Sequence, residues 1–284
     1  MEFLLHMFTM IAIVLPTMLG YNLVFGKGKI LHFGPLGVSL VAAYATFATF
    51  HATHLYVLSI CAGILGTVMI SSLFAWLSFR LDGDALGILT IAVHLAILTL
   101  VLNWTPITGG TRGLTAIPRM WFMDSPGIFF LCATALAVFW IALFWFLDRC
   151  AFGRQLHALA EHEWHASAQG INRRRVHHLA FLISGLASLT TNILYPQYVH
   201  LLHPSDFMFP ALIFMVMVVV AGKPGSVVGV VLSAGLLSFL REGLRFVRIA
   251  PDVLGPARLI LFGGILFLAV WVRRDVLFPK RRSV

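Results

Sequence analysis

Long apolar runs recur from one end of this chain to the other, separated by short polar or Gly/Pro-bearing joints. About 18–25 such residues cross a bilayer as a helix. Nine runs stand out: Leu4–Phe25, Ile30–Phe50, Leu55–Phe79, Ala85–Asn103, Gly127–Leu147, Val176–Tyr195, Phe207–Gly222, Gly225–Leu240 and Leu254–Val272. Of 284 residues, 60% are apolar and only 11% charged, where a soluble domain carries about 25% charged. The expected fold is an all-α, polytopic transmembrane bundle of about 8–10 spans. No linker interrupts it, so residues 1–284 read as one membrane domain. The first run begins at once, without a basic segment ahead of it, and reads as a retained span.

The formal net charge of +9 does not point to nucleic acid here. Basic residues in the joints orient a membrane chain, and the flanking side richer in Lys and Arg faces the cytoplasm. All of the 20 Lys and Arg except Arg112, Arg119, Arg241, Arg245, Arg248 and Arg258 fall on the side of one polar segment, Gly153–Arg175. That segment is expected to be cytoplasmic, with the N-terminus outside and the C-terminus inside. The three cysteines have no paired spacing, and neither a disulfide nor a metal site is read from them.

The polar segment is the feature least explained by membrane crossing. Gln155–Gln169 has helix-forming composition without Gly or Pro. At 3.6 residues per turn, Leu156, Leu159, Ala160, Trp164, Ala168 and Ile171 share a broad face, and His162, His165 and Gln169 oppose it. Gly170 can close the helix in a left-handed turn. A helix lying on lipid headgroups favours basic residues on its polar face. This one carries Glu161 and Glu163 instead, which favours a protein partner.

The seventh and eighth runs are short and joined by Gly222-Lys223-Pro224-Gly225, predicting a tight hairpin. The joint Trp104–Ser125 is rich in Gly and Pro and carries Trp104 and Trp121. It fits either an interfacial loop with an aromatic belt or a docking surface for an external partner. Arg112 and Arg119 are either solvated charges or partners for carboxylates on that protein. Arg241, Arg245 and Arg248 have helical spacing and read as headgroup contacts. Within spans, Asn22, Tyr44, His94, Thr99, Thr190, Thr191 and Asn192 are candidates to line a solute path. For each, the commoner role is a polar side chain satisfied by a neighbouring helix.

Three H-x-x-H pairs, His51/His54, His162/His165 and His200/His203, raise the class of di-iron membrane enzymes. The topology divides them between the two faces, so they cannot share a metal. An ion-coupled secondary transporter would place acidic groups within spans. Here every Asp and Glu lies in a joint or at a run's edge.

The motifs resemble the permease subunits of ABC importers for branched-chain and other hydrophobic amino acids, the LivM type. The likeness centres on Gly153, Arg154, Leu156, Ala158, Glu161, Glu163, Ala166, Ala168, Gly170, Ile171 and Asn172, and continues through Arg175, Val176, Ala180, Phe181, Ile183 and Ser184. Asn103, Thr108, Gly109, Gly110, Gly113, Leu114, Ile117 and Pro118 look like the family's outer loop. Pro204, Phe207 and Phe209 look like its P-x-S-F-x-F, and Gly222, Gly225, Ser226 and Gly229 like its glycine turn. The chain departs from the family at Lys223, at His32 and Pro35, and over Ser188–Asn192. Those changes lie in the spans, where they bear on which solute moves.

The resemblance implies a coupling segment at about residues 153–172, seated in a groove of a cytoplasmic ATPase. Gly153, Arg154, Leu156, Glu161, Glu163, Gly170 and Asn172 would carry that contact. It further implies a second, related permease chain, two ATPase subunits and an external substrate-binding protein that touches Trp104, Gly109, Gly110, Arg112 and Arg119. Asn22, Tyr44, His94, Thr191 and Asn192 remain the expected path residues. No Walker A sequence occurs, so ATP and Mg are expected on the partner subunits and no cofactor on this chain. The setting implied is the bacterial inner membrane. Relatives also carry urea and short amides, which stay open as cargo.

Overall fold

The computed structural model describes residues 2–81 and 83–243, together with 260, 261, 263–265, 267, 268 and 270–272. Helix α1 (Glu2–Tyr21) runs into a turn of π-helix, Asn22–Lys27. Three long helices follow: α2 (Pro35–Thr53), α3 (Tyr56–Arg80) and α4 (Gly83–Asn103). The next joint holds α5 (Thr105–Thr108), a 3-10 turn at Gly110–Arg112 and the short strand β1 (Leu114–Thr115). Then come α6 (Pro126–Arg149), α7 (Ala151–Glu161), α8 (Glu163–Ala168) and α9 (Arg173–Val199). Strand β2 (Leu201–Leu202), a 3-10 turn at Pro204–Phe207, α10 (Phe209–Ala221) and α11 (Val227–Gly243) complete the order.

Local chemistry sets the boundaries. Pro35 and Pro126 open α2 and α6, where the missing N–H has no helical partner to lose. The Asn172 side chain caps α9 by accepting from the Arg175 N–H at 3.2 Å. His54 and His200 end α2 and α9 in left-handed conformations.

Six helices among the described residues are long and apolar enough to span a bilayer. Two more, α10 and α11, are shorter. The 13 residues of α10 rise only ~20 Å, less than a hydrocarbon core of ~30 Å. The polytopic helical bundle expected from the sequence is present. The ninth run, Leu254–Val272, lies largely outside the described residues, as do Arg245, Arg248, Arg258 and the basic C-terminal tail.

Helices α1, α2 and α9 form the interior, and α3, α4 and α6 bury far less of their surface. Small residues permit the close crossings. A Cβ on Gly20 of α1 would stand 2.8 Å from the Ser184 carbonyl of α9. Gly63 of α3 faces Thr46 of α2, and Gly185 of α9 faces Ser71 of α3, in the same way. Within lipid, such packing is what holds helices together. One large apolar cluster, including Ile13, Phe74, Phe129 and Met217, fills the centre. A second, around Phe47, Leu98, Ile117 and Phe207, closes the end that carries β1 and β2. We call this the loop end; the opposite, island end carries α7 and α8.

Strands β1 and β2 pair antiparallel, Leu114 opposite Leu202 and Thr115 opposite Leu201. This link was not expected from the sequence. It ties the joint after α4 to the joint after α9.

Candidate coupling segment and solute cavity

The polar segment is not one helix. The chain breaks at His162, whose φ of −148° and ψ of 91° are extended. Ala158 still accepts from the His162 N–H at 3.0 Å, ending α7, and α8 restarts at Glu163. Gly170 takes the left-handed φ of +82° that the sequence suggested. The break re-aims the second half. Leu156, Leu159 and Ala166 are buried, but Trp164, expected on the same apolar face, is 90% exposed.

The buried side of α7 rests on the bundle itself. A Cβ on Gly28, just past the π-turn, would stand 3.3 Å from Leu156 Cδ1. Gly153 is buried where α6 turns into α7, and a Cβ there would collide with the Leu147 carbonyl. Only a residue without a side chain allows that corner.

Ion pairs hold the segment at two points and the end of α6, just ahead of it, at a third. Lys27 pairs with Asp148 at the end of α6, and its Nζ also donates to the Asp148 backbone oxygen at 3.0 Å. Lys29 Nζ donates to Glu161 Oε1 at 2.7 Å. Arg173 donates to Glu163 at 2.6 Å through one nitrogen and to the Ser78 carbonyl at 2.8 Å through another. The hydrogen bond and charge of Lys29 hold the Glu161 carboxyl below its ordinary pKa. Arg154 donates to the Arg149 carbonyl at 2.7 Å and is otherwise exposed. Trp164, with the adjacent His162 and His165 rings 5.2 Å apart, therefore faces away from the bundle.

Asn22 and Lys27 give the π-turn a central place at the island end. Asn22 Oδ1 accepts from the Gly225 N–H at 2.8 Å, which fixes the α10–α11 turn. That turn is the tight hairpin expected: Lys223 and Gly225 have φ of 72° and 84°. Gly229 meets the Gly222 backbone so closely that no side chain fits at either position.

A cavity of about 580 Å³ runs from the middle of the bundle to the loop end. Volumes of ~300–1,000 Å³ suit small solutes. At mid-bundle its wall is hydroxyl-rich. Ser39 Oγ lies 2.7 Å from Ser188 Oγ, and Thr191 donates to the Ile13 carbonyl at 2.7 Å while accepting from the Thr17 N–H at 3.3 Å. Pro16 removes a donor from α1 beside these groups, and the Thr191 hydroxyl serves the adjoining backbone. Thr17, Ser39, Thr191 and Asn192 face the cavity, and at its loop end so do Ser205, Asp206 and Arg241. Among the described residues that line it, Asp206 and Arg241 are the charged ones.

Of the expected path residues, Thr191 and Asn192 thus reach the cavity. Asn22 is engaged by Gly225 elsewhere. Tyr44 and His94 are buried near Phe207, on α2 and α4, and do not line it. Arg241, read from spacing as a headgroup contact, stands instead on the cavity wall, its guanidinium 4.9 Å from the Phe214 ring centre. The sequence did not single out Asp206. Its local signal is a charge between two apolar runs, three residues after His203, and Arg241, which shares the cavity, is distant in sequence.

At the loop end, Gly109, Gly110 and Gly113 all have left-handed φ. A Cβ on Gly113 would strike the Leu202 carbonyl, so this glycine lets β1 reach β2. Arg119 donates to the Gln197 carbonyl at 3.4 Å and the Asp124 carbonyl at 3.1 Å, and it lies over Phe129 and Tyr198. It fastens the loop, leaving Arg112 and Trp104 exposed. The histidines serve the same loop. His200 bonds the Ile117 carbonyl at 2.9 Å, and His51 the Thr115 carbonyl at 3.2 Å.

A bundle of helices long and apolar enough to span a bilayer, holding a solute-sized cavity, fits the class of membrane permeases. Residues 3–270 match the family described as branched-chain amino acid transport system / permease component. The chain belongs to that family and is a permease subunit of an ABC importer. It is 30% identical to the high-affinity branched-chain amino acid transport system permease protein LivM of Escherichia coli, over 96% of this chain and 69% of the relative. It is 25% identical to the permease protein LivH of Salmonella typhimurium, over 86% of each. No solved structure matches it.

Proposed function

We propose that this chain is one permease of a two-permease unit that imports branched-chain or other hydrophobic amino acids, driven by ATP. Family membership across residues 3–270 is the observation that carries the reading. Two distinct relatives, LivM and LivH, are both named as permeases of a branched-chain amino acid system. That supports a second, related chain as partner.

The island end faces the cytoplasm, in keeping with its excess of Lys and Arg. There α7 and α8 dock on an ATPase subunit, one ATPase to each permease. The chain breaks no covalent bond, and ATP and Mg belong to those partners. Support comes from how α7 and α8 divide their surface: Leu156, Leu159 and Ala166 are used internally, and Trp164, Arg154 and His165 are presented outward. An external binding protein delivers solute at the loop end, touching Trp104 and Arg112. ATP closure at one end then shifts the population of cavity states open to the other.

ATP-driven uptake of L-leucine by the reconstituted complex tests this. Arg154→Ala with Glu163→Ala is expected to abolish uptake or release the ATPase. Unchanged uptake removes the coupling role. A reporter fused after Val284 should be cytoplasmic.

A further inference from the structure

At mid-bundle the cavity is lined by uncharged hydroxyls and an amide, but its loop end carries one carboxylate and one guanidinium. Asp206 stands on the 3-10 turn Pro204–Phe207, and Arg241 on the last turn of α11. They are far apart in sequence, yet both line the same cavity. Burial raises the Asp206 pKa, against which His203 and, less, Arg241 act. Between them and the middle of the bundle the wall is apolar: Val14, Phe207, Ala211, Phe214 and Met215.

Charged groups opening into a membrane cavity are costly and mark sites that handle polar cargo. A guanidinium presents a planar fork matched to a carboxylate, and a carboxylate accepts from an ammonium. A neutral amide or urea offers neither charge. A fatty acid offers only one, and would leave Asp206 facing a like charge.

We infer that Asp206 and Arg241 form an entry subsite for a zwitterionic α-amino acid, Asp206 taking the ammonium and Arg241 the carboxylate, with the apolar side chain directed along Val14, Phe214 and Met215. This rests on the importer reading given above and names its specificity residues. The hydroxyls of Thr17, Ser39 and Thr191 then receive the charged groups as the solute moves inward. Their weak, replaceable contacts allow release.

Two measurements test the subsite in the assembled complex. In the first, radiolabelled L-leucine uptake is compared for wild type, Asp206→Asn, Arg241→Gln and, as a control outside the cavity, Arg80→Gln on the exposed last turn of α3. Each cavity variant should lose about tenfold or more, as one charge-assisted hydrogen bond is lost, and Arg80→Gln should stay near wild type. In the second, the wild-type complex is photolabelled with a diazirine analogue of leucine. Label should map to residues 204–215 or to Arg241. L-leucine should compete, and leucinol and 4-methylpentanoate, which each lack one charge, should not.

Wild-type uptake of L-leucine, with both neutral variants equally active or the label elsewhere, overturns the subsite and leaves the importer reading standing. Wild-type uptake of urea or acetamide but not L-leucine overturns the reading itself. Photolabelling uses the unaltered chain, so a variant that fails to assemble leaves the inference decidable.

Discussion

The Asn22 side chain accepts a hydrogen bond from the Gly225 N–H at 2.8 Å, joining positions 203 residues apart in sequence. Asn22 begins the π-turn, and Gly225 closes the turn between α10 and α11. The helical hairpin is therefore fastened to the end of α1, the helix that also borders the cavity. Asn22→Ala removes the acceptor and leaves a partly buried N–H unpaired, at a cost of about 1 kcal/mol. A lower thermal midpoint of the detergent-solubilised chain is expected.

Gly113 holds β1 against β2 in a conformation that disfavours side chains. Gly113→Ala should cost at least ~1–2 kcal/mol and free the joint between α4 and α6. Limited proteolysis should then cut within residues 105–125 faster than in wild type.

Lys29 and Glu161 are both nearly half exposed, so their pair is worth ~0–1 kcal/mol. Lys29→Glu should cost little stability but weaken the seating of α7. Adding Glu161→Lys should restore it. Uptake coupled to ATP hydrolysis in single and double variants reads this: recovery in the double variant is expected.

The same pair sets a pH dependence. Lys29 lowers the Glu161 pKa in the folded chain. The stability it adds is present above the ordinary carboxylate pKa and is lost as pH falls through the lowered one. Protection of α7 amides from hydrogen exchange should drop over that acidic window, and Glu161→Gln should flatten the change.

Helix positions were legible because hydropathy along a chain reports bilayer crossing directly. The six long helices match runs read from the sequence, and Gly170 took the conformation expected of it. The π-turn at Asn22–Lys27 was not legible. It lies across the end of an apolar run and is held by Gly225, Asp148 and α7, all remote in sequence. The break at His162 has no Gly or Pro to announce it. With it, Trp164 moved from the supposed apolar face to full exposure. The cavity was half legible: Thr191 and Asn192 were polar within a span, but Asp206 and Arg241 acquire meaning only when the fold brings the 3-10 turn and α11 to one cavity.

The central claim is that α7 and α8 contact a cytoplasmic ATPase through the face bearing Trp164. A photoreactive benzoyl-phenylalanine at position 164, in the intact importer, tests this without disturbing the bundle, since Trp164 is almost wholly exposed. Illumination should join the chain to the ATPase subunit and to no external protein. A cross-link to the solute-binding protein, or labelling of position 164 from outside the membrane, would contradict the account.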